Sequence, residues 1–143
     1  MMTTHSNDYF DISTNELIKS NEPYISKPTE ISKAWGKELI IHNDEEYCGK
    51  ILSFLPNSKF SMHYHVEKQE TWYVTKGSFV LAFINTKDAT KHLRQLNVGD
   101  TIFIKRGMPH QLIAGAEGGE IFEVSTEHYD SDSYRVEKGD SQL

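Results

Sequence analysis

From residue 32 onward, the chain is a succession of short β-type segments separated by close turns. The segments are rich in β-branched and aromatic residues, and turn residues such as Asn43-Asp44 and Gly118-Gly119 separate them. No helical period of about 10–15 residues and no glycine-rich phosphate loop lies between them. This pattern predicts an antiparallel sandwich or barrel, with strands at residues 38–42, 47–55, 60–65, 70–75, 78–84, 92–96, 101–104, 111–114 and 121–125.

The segment 1–30 has a different composition. It is polar, rich in Ser, Thr and Asn, and contains Pro23 and Pro28, which predicts an extension or arm. Only residues 14–20 offer a helical turn, which Thr14 could cap. Residues 31–143 are expected to form one all-β domain, because a chain of 143 residues leaves no room for a second full core.

Charge and hydropathy exclude several classes of partner. With 15 Lys and Arg against 21 Asp and Glu, the chain has a net charge of −6 and lacks the excess of cations that a general nucleic-acid binder needs. No apolar run reaches the roughly 18 residues that span a bilayer, and the N-terminus lacks the features of a secretory signal. We expect a cytoplasmic protein with no nucleic-acid or membrane partner. The single cysteine, Cys48, cannot form an intrachain disulfide and is expected to be a small core residue.

The most informative polar residues are His63 and His65, which are followed by Glu70. Because alternate residues of a strand point to the same face, the two imidazoles are expected to project together. A bend in the mostly polar segment 66–69 would let Glu70 return to that face. Imidazole nitrogens with one carboxylate oxygen are a ligand set that Mn, Fe, Co, Ni and Zn accept. Two imidazoles alone still lack a third ligand.

Two spaced motifs are similar to those of a known superfamily. The first is His63-x-His65-x4-Glu70-x6-Gly77, and the second is Gly99-x7-Gly107-x2-His110. With both motifs, the sequence resembles the cupin superfamily over about residues 35–126. The glycine, proline and asparagine usual at three other motif positions are replaced by Asn57, Lys105 and Ala114, none of which is a metal-ligand position.

The cupin resemblance implies a fold and a cofactor. The fold is a double-stranded β-helix, the small cupin jelly-roll barrel. The cofactor is one divalent metal ion per chain, with one or two positions open to water or substrate. The ligands it implies are His63, His65, Glu70 and His110. A homodimer is the favoured assembly, with the arm of residues 1–30 available to cross to the partner subunit.

The segments before and after the two motifs indicate a narrower family within the cupins. Trp35-Gly36 stands where small cupins similar to the C-terminal domain of type II phosphomannose isomerases carry Pro-Trp-Gly, and Arg135-Val136-Glu137 stands where they carry Arg-x-Glu-Asp. Ala34 and Lys138 replace the first and last residues of those motifs, and the family's Tyr-Gly-Arg ending is absent. This resemblance, over about residues 34–137, implies a sugar or sugar phosphate as ligand and mannose-6-phosphate isomerase-like aldose–ketose isomerisation as the activity.

Such a reaction needs a base that moves a proton beside a carbonyl and positive charge that stabilises the oxyanion. The metal would supply the charge, and the base would be a carboxylate such as Glu70, an imidazole near the ion or a hydroxide on the ion. Arg135 is expected to act in the sugar-phosphate site, because the resemblance places the family's arginine there. Lys105 and Arg106 either bind the phosphate or form a solvated turn. The alternatives are an iron-dependent cupin dioxygenase and a non-catalytic sugar-binding cupin.

Three further expectations concern burial. If the two histidines of the first motif face inward, Ser61 does too, whereas Phe60, Met62 and Tyr64 face the other way. That apolar row needs a cover, from a second sheet layer, the N-terminal arm or another subunit. His128, which has acidic neighbours, is expected at the surface.

Overall fold

The computed structural model describes residues 14–143, so the predicted arm lies partly outside the described residues. A short helix, α1 (Thr14–Lys19), occupies the place predicted for a helical turn. No helix in the described part is long and apolar enough to cross a membrane. Nine strands and two 3-10 turns (Asp130–Asp132 and Asp140–Gln142) follow within residues 14–143, the strands being β1 (Thr29–Lys33), β2 (Gly36–Asn43), β3 (Cys48–Phe54), β4 (Met62–Tyr64), β5 (Glu70–Asn85), β6 (Thr90–Leu96), β7 (Thr101–Ile104), β8 (His110–Ser125) and β9 (Tyr134–Glu137).

The strands form two layers that share β5 and β8. Each of these two strands has 16 residues and takes part in both layers. The first layer has the order β1-β2-β3-β8-β5-β7, and the second has the order β9-β4-β8-β5-β6. All pairings are antiparallel. The fold is the all-β double-stranded β-helix that the sequence predicted.

A large bulge bends both long strands at the same level. Gly77 pairs with Gly119 and Phe79 pairs with Ala114, so residues 115–118 of β8 lie opposite Ser78 alone. Gly77 has a φ of +72°, and a Cβ at this position would lie 2.1 Å from the carbonyl oxygen of Gly118; only glycine fits there without strain. The turn signals at these glycines predicted that each of the two long strands would be divided into two separate strands. Instead, the chain bends there and stays in the sheet.

Two edge strands lie where the sequence indicated none. β1 and β9 have five and four residues, and every residue of β9 is exposed. Each lies at the outer edge of its layer. Because both strands are short and mostly polar, they lack the apolar alternation that identifies a half-buried strand.

The prediction that Phe60, Met62 and Tyr64 form an outward-facing row beside the histidines is wrong in part. β4 begins only at Met62, and Phe60 lies before it within the hydrophobic core. Met62 is itself fully buried. Tyr64 stacks on Tyr134 of β9, with their ring centroids 5.3 Å apart. A strand of the same chain therefore supplies part of the cover that this row needs.

An aromatic core packs against the histidines. Trp35 stacks on Phe54 with ring centroids 4.6 Å apart. The rings of Phe60 and Trp72 lie with their centroids 6.2 and 5.5 Å from that of His110. Since burying an aromatic side chain of this kind contributes roughly 1.5–3 kcal/mol, this packing stabilises the interior of the barrel around the site.

Candidate metal centre

Three histidines converge inside the barrel. His63 of β4 pairs in register with His110, the first residue of β8, and His65 directly follows β4. The two-residue period of the strand places His63 and His65 on the same side of the chain. One ring nitrogen of each of the three histidines lies within 4.8 Å of the others. The strand period predicted that His63 and His65 would lie together, and the cupin resemblance implied that His110 would join them.

Glu70 joins this group from the start of β5. Its Oε2 atom lies 3.4 Å from Nε2 of His65 and 3.5 Å from Nε2 of His110. Its other oxygen, Oε1, accepts a hydrogen bond of 2.7 Å from the indole N–H of Trp72. One oxygen is thus fixed by the core, and the other is directed at the histidines.

The opposite ring nitrogen of each histidine is engaged by the backbone. Nδ1 of His63, His65 and His110 lies 2.8, 2.9 and 2.8 Å from the carbonyl oxygens of Ser61, Asp132 and Met108, respectively. A carbonyl only accepts hydrogen bonds, so these partners assign the proton to Nδ1. Nε2 of each ring then keeps its lone pair, as metal-binding histidines require.

The electrostatics favour neutral imidazoles at His63 and His65 beside an ionised carboxylate at Glu70. Burial, followed by the neighbouring His110 and His65, lowers the pKa of His63 well below its usual range. Burial, followed by Lys68, lowers the pKa of His65 to about 2. Burial alone would raise the pKa of Glu70, but Lys68 and His110 outweigh it and the pKa is lowered.

Two buried atoms of this group lack hydrogen-bond partners among the described residues, which indicates whether the group fits a cation. Within residues 14–143, Glu70 Oε2 and His110 Nε2 are buried and have no hydrogen-bond partner. Leaving a buried polar atom unsatisfied costs about 1–3 kcal/mol. Both atoms are electron-pair donors that face the same point, so a divalent cation would satisfy them together, and the donor set suits a transition metal.

The histidines open on a cavity of about 140 Å³. Aromatic residues from the core, Trp35 and Phe60, line one part of its wall. The remaining wall is polar and includes charged side chains of β1, β2, β3, β8 and β9. The cavity therefore has an apolar part against the core and a charged wall beside the histidines.

Alternating charges run along this wall toward Glu70. Lys50 Nζ lies 2.9 Å from Glu38 Oε1, and Lys68 Nζ lies 3.1 Å from Glu123 Oε2 and 3.9 Å from Glu70 Oε2. Lys50 and Glu123 are cross-strand neighbours, which joins the two pairs into one row. All but Glu38 are almost fully buried. The sequence did not indicate this row, although Lys50 and Glu123 occupy inward positions between apolar residues of their strands.

The segment that follows β8, residues 126–137, is called the closing segment, and it also contributes buried groups that the sequence did not indicate. His128 is buried, so the prediction of a surface position is wrong. Its Nε2 lies 2.9 Å from Asp130 Oδ1, and its Nδ1 lies 3.4 Å from Lys68 Nζ. Asp132 is 1% exposed. The segment packs onto the barrel because these groups find partners inside it.

The three predicted phosphate-binding cations lie in different places. Arg135 of β9 is in register with His63 and lines the cavity. Arg106 donates hydrogen bonds of 2.6 Å each to the carbonyl oxygen of Glu67 and to Oε1 of Gln69. Neither Arg106 nor Lys105, which is exposed, belongs to the described residues that line the cavity.

Comparisons with known proteins agree with this fold. The family model described as "Mannose-6-phosphate isomerase C-terminal" matches residues 20–138. A mannose-1-phosphate guanylyltransferase of Salmonella muenchen is 27% identical over 130 residues, which cover 89% of this chain and 26% of that protein. The structure of oxalate decarboxylase from Bacillus subtilis at pH 4.6 superposes with a TM-score of 0.68 at 17% identity, covering 76% of this chain and 30% of the other. A second structure of that enzyme gives 0.69 at 18% identity, with the same coverage.

Proposed function

The chain belongs to the family of mannose-6-phosphate isomerase C-terminal domains, within the cupins, and on that premise we propose that it is a metal-dependent aldose–ketose isomerase of a sugar phosphate. Mannose 6-phosphate is the first candidate substrate. The observation that carries the proposal is the convergence of three imidazoles and one carboxylate on a charged cavity. The chain spans about a quarter of the guanylyltransferase that it matches, so the activity of that whole protein is not transferred to it.

The charge of the cavity supports a phosphorylated ligand. Its lining has four cationic and four anionic side chains and is neutral in sum, whereas a divalent ion would make it dipositive. A phosphate monoester carries about −1.5 to −2 charges at pH 7 and would restore neutrality. The charged residues are Lys33, Lys50, Lys68 and Arg135, with Glu38, Glu70, Glu123 and Asp130.

We assign the ion to His63, His65, His110 and Glu70 and expect one divalent ion per chain, chosen from Mn, Fe, Ni, Co and Zn. A similar cupin structure, that of the Bacillus subtilis decarboxylase, has Mn(II) centres, which supports manganese among these. When bound, the ion would polarise the substrate carbonyl and stabilise the negative charge that develops on its oxygen.

Glu123 is our candidate for proton transfer, alongside the Glu70 of the original prediction. Glu70 directs its Oε2 at two histidines and is therefore a poor free base. Glu123 lines the same cavity, is 2% exposed and does not belong to the histidine group. Its Oε2 atom would accept the proton from one substrate carbon and return it to the neighbouring carbon, while the hydroxyl proton passes from one substrate oxygen to the other. Lys68, 3.1 Å from Oε2, holds that atom in place.

Arg135 is the proposed phosphate ligand. It lines the cavity beside His63, and its planar guanidinium suits bidentate binding of phosphate oxygens. Lys33 and Lys50 line the same cavity and add positive charge. Lys105 and Arg106 remain weaker candidates, because Arg106 is already engaged by the loop at Glu67.

We also propose that the chain forms a homodimer through the outer face of its first layer. Tyr73, Phe103, Phe122 and Val124 are 43%, 61%, 37% and 47% exposed and lie on the adjacent strands β5, β7 and β8. Contiguous exposed apolar residues of this kind are typical of interfaces. Light scattering after size exclusion should give a dimer for the wild type and a monomer for Phe103→Glu. Leu93→Glu, at an exposed apolar position of β6, should stay dimeric.

The function is tested on protein purified without chelators. Metal analysis should give about one ion per chain, and a coupled assay should detect interconversion of mannose 6-phosphate and fructose 6-phosphate. The double variant His63→Ala, His110→Ala should lose both metal and activity. His92→Ala is the matched control, because His92 lies on β6, stacks on Phe83 and is not among the residues that line the cavity.

Other results would overturn the proposal in favour of its alternatives. Oxygen consumption with catechols or thiols, without isomerisation, would favour an iron-dependent dioxygenase. Thermal stabilisation by sugar phosphates without turnover would favour a non-catalytic sugar-binding cupin. A double variant that binds as much metal as the wild type would remove the metal site itself.

A further inference from the structure

Asp132, at the end of a 3-10 turn in the closing segment, is bound to the loop that joins two of the proposed metal ligands. Its Oδ1 accepts the backbone N–H groups of Val66 and Glu67, at 2.9 and 3.1 Å. Its Oδ2 accepts those of Glu67 and Lys68, at 3.2 and 3.0 Å. Residues 66–69 are the whole connection between His65 and Glu70. One buried carboxylate therefore fixes three consecutive amides of that connection.

The backbone of the same residue binds one of the ligands directly. The carbonyl oxygen of Asp132 accepts the Nδ1–H of His65 at 2.9 Å. This bond fixes both the tautomer and the rotation of the ring, and so directs Nε2 toward Glu70. Asp132 thus holds His65 by its main chain and the path to Glu70 by its side chain.

The turn that carries Asp132 is itself anchored to the barrel. The N–H of Asp132 donates to the carbonyl oxygen of Tyr129 at 3.1 Å. The backbone of His128, the residue before Tyr129, and the side chain of Asn43 exchange two hydrogen bonds, of 2.8 and 3.0 Å. Asn43 is the last residue of β2, so the turn is tied to the first layer of the sheet.

Burying an ionised carboxylate is costly unless donors compensate it. Asp132 is 1% exposed and is compensated by the three amides of the loop. Charge-assisted hydrogen bonds are about twice as strong as neutral ones, so the carboxylate and the loop hold each other in one arrangement.

We propose that Asp132 is a positioning residue that sets the metal affinity of the site, an inference that rests on the metal centre of the proposed function. It keeps His65 Nε2 and Glu70 Oε2 within 3.4 Å of each other by clamping the loop between them. Residues that support metal ligands typically change affinity by about 10–100-fold when mutated. We expect a loss of this size for Asp132→Asn, because the NH2 that replaces one carboxylate oxygen faces backbone N–H groups and cannot accept their hydrogen bonds.

The test compares Co²⁺ affinity, measured by chelator competition, among the wild type, Asp132→Asn and Asp140→Asn. Asp140 is a matched control, since its carboxylate accepts one backbone N–H, that of Lys59 at 2.9 Å, and lies outside the cavity lining. Asp140→Asn should bind Co²⁺ like the wild type. Hydrogen exchange at the amides of residues 66–68 should be faster in Asp132→Asn and unchanged in Asp140→Asn.

A second measurement needs only the wild type and covers the case in which Asp132→Asn does not fold. By linkage, Co²⁺ should slow exchange at residues 66–68 more than at residues 140–142. The role of Asp132 would be overturned if the wild type and Asp132→Asn bound Co²⁺ with equal affinity, or if Co²⁺ did not change the exchange rate at residues 66–68. Neither result would contradict the metal centre itself. A wild type that binds no divalent ion would overturn both.

Discussion

At the scale of single residues, the structure separates two buried carboxylates by their partners. Glu70 and Glu123 both accept a hydrogen bond from the indole of Trp72, at 2.7 and 3.3 Å. The second oxygen of Glu70 faces the histidines, whereas that of Glu123 lies 3.1 Å from Lys68 Nζ. Two acids in one cavity with different partners can take different roles. A metal ligand and a proton carrier can therefore be told apart by experiment.

Glu123→Gln should lower kcat by about 10²–10⁴-fold, which is typical for loss of a general base. The bound metal should remain near the wild-type level, because Glu123 is not a member of the histidine group. Steady-state kinetics and metal analysis of the same preparation check both expectations. Glu120→Gln, on the same strand but hydrogen-bonded to Thr75, is the matched control. An unchanged kcat with a raised KM would make Glu123 a binding residue instead.

The single thiol should be inert in the folded chain. Cys48 is fully buried, and burial raises its pKa to about 11 although Lys50 partly opposes the shift. At pH 8 only roughly one thiol in a thousand is then ionised, and the thiolate is the reactive form. Ellman's reagent should give no fast reaction with native protein and one thiol per chain in denaturant. Rapid reaction without denaturant would contradict the burial of Cys48.

Two kinds of site residue could be predicted: those whose pairing is local, and those that the family motifs carry, such as His110 and Arg135. His63 and His65 are two residues apart, so the strand period alone places them together. Lys68 lies in a polar bend, and only its contact with Glu123, 55 positions away in the chain, makes it a buried residue. Asp132 depends likewise on the amides of a loop more than 60 positions earlier. Such partners become neighbours only through the fold.

At the scale of elements, the two long strands depend on the bend that they share. The sequence indicates the strands on both sides of Gly77 and Gly118 correctly, because each half has its own apolar alternation. It does not reveal that the halves are continuous, since a glycine marks a hairpin turn and a bulge equally well. Edge strands such as β9 escape prediction for another reason: they bury little apolar surface.

Gly77→Ala should be much more damaging than Gly99→Ala. Both glycines have positive φ values, of +72° and +94°, but a Cβ at residue 99 meets no atom within 4 Å. Gly99→Ala should therefore cost only the backbone strain, about 1–2 kcal/mol. At Gly77 the contact with Gly118 adds overpacking of about 1–3 kcal/mol. Urea unfolding of both variants measures the difference. Equal losses would mean that the bulge has room for a side chain.

At the scale of the whole molecule, the barrel and its closing segment form one site. The histidines come from β4 and β8, the carboxylate comes from β5, and Asp132 and Arg135 come from the segment that follows β8. The closing segment binds the loop at residues 66–68 and the end of β2. Loss of its docking would therefore loosen the ligand loop as well as uncover the cavity.

The closing segment also makes the stability of the molecule dependent on pH. Burial, followed by Lys50 and Lys68, lowers the pKa of His128 well below its usual range, although Glu38 and Glu123 oppose the shift. The unfolded chain has an ordinary histidine at this position, with a pKa of about 6.5. As the pH falls below this value, the unfolded state takes up a proton that the folded state does not, and the folded state loses stability. The loss approaches about 1.4 kcal/mol per pH unit for this one residue.

The contribution of His128 can be isolated by comparing the wild type with His128→Gln. Urea unfolding from pH 8 to pH 5, in EDTA so that no metal is released during the titration, gives the free energy of unfolding of each. His63 and His65 have lowered pKa values too, so both proteins should lose stability on acidification. The wild type should lose more, and the difference between the two curves should open only below about pH 6.5. Parallel curves over this range would mean that His128 protonates as readily in the folded chain as in the unfolded one, and that the closing segment does not bury it.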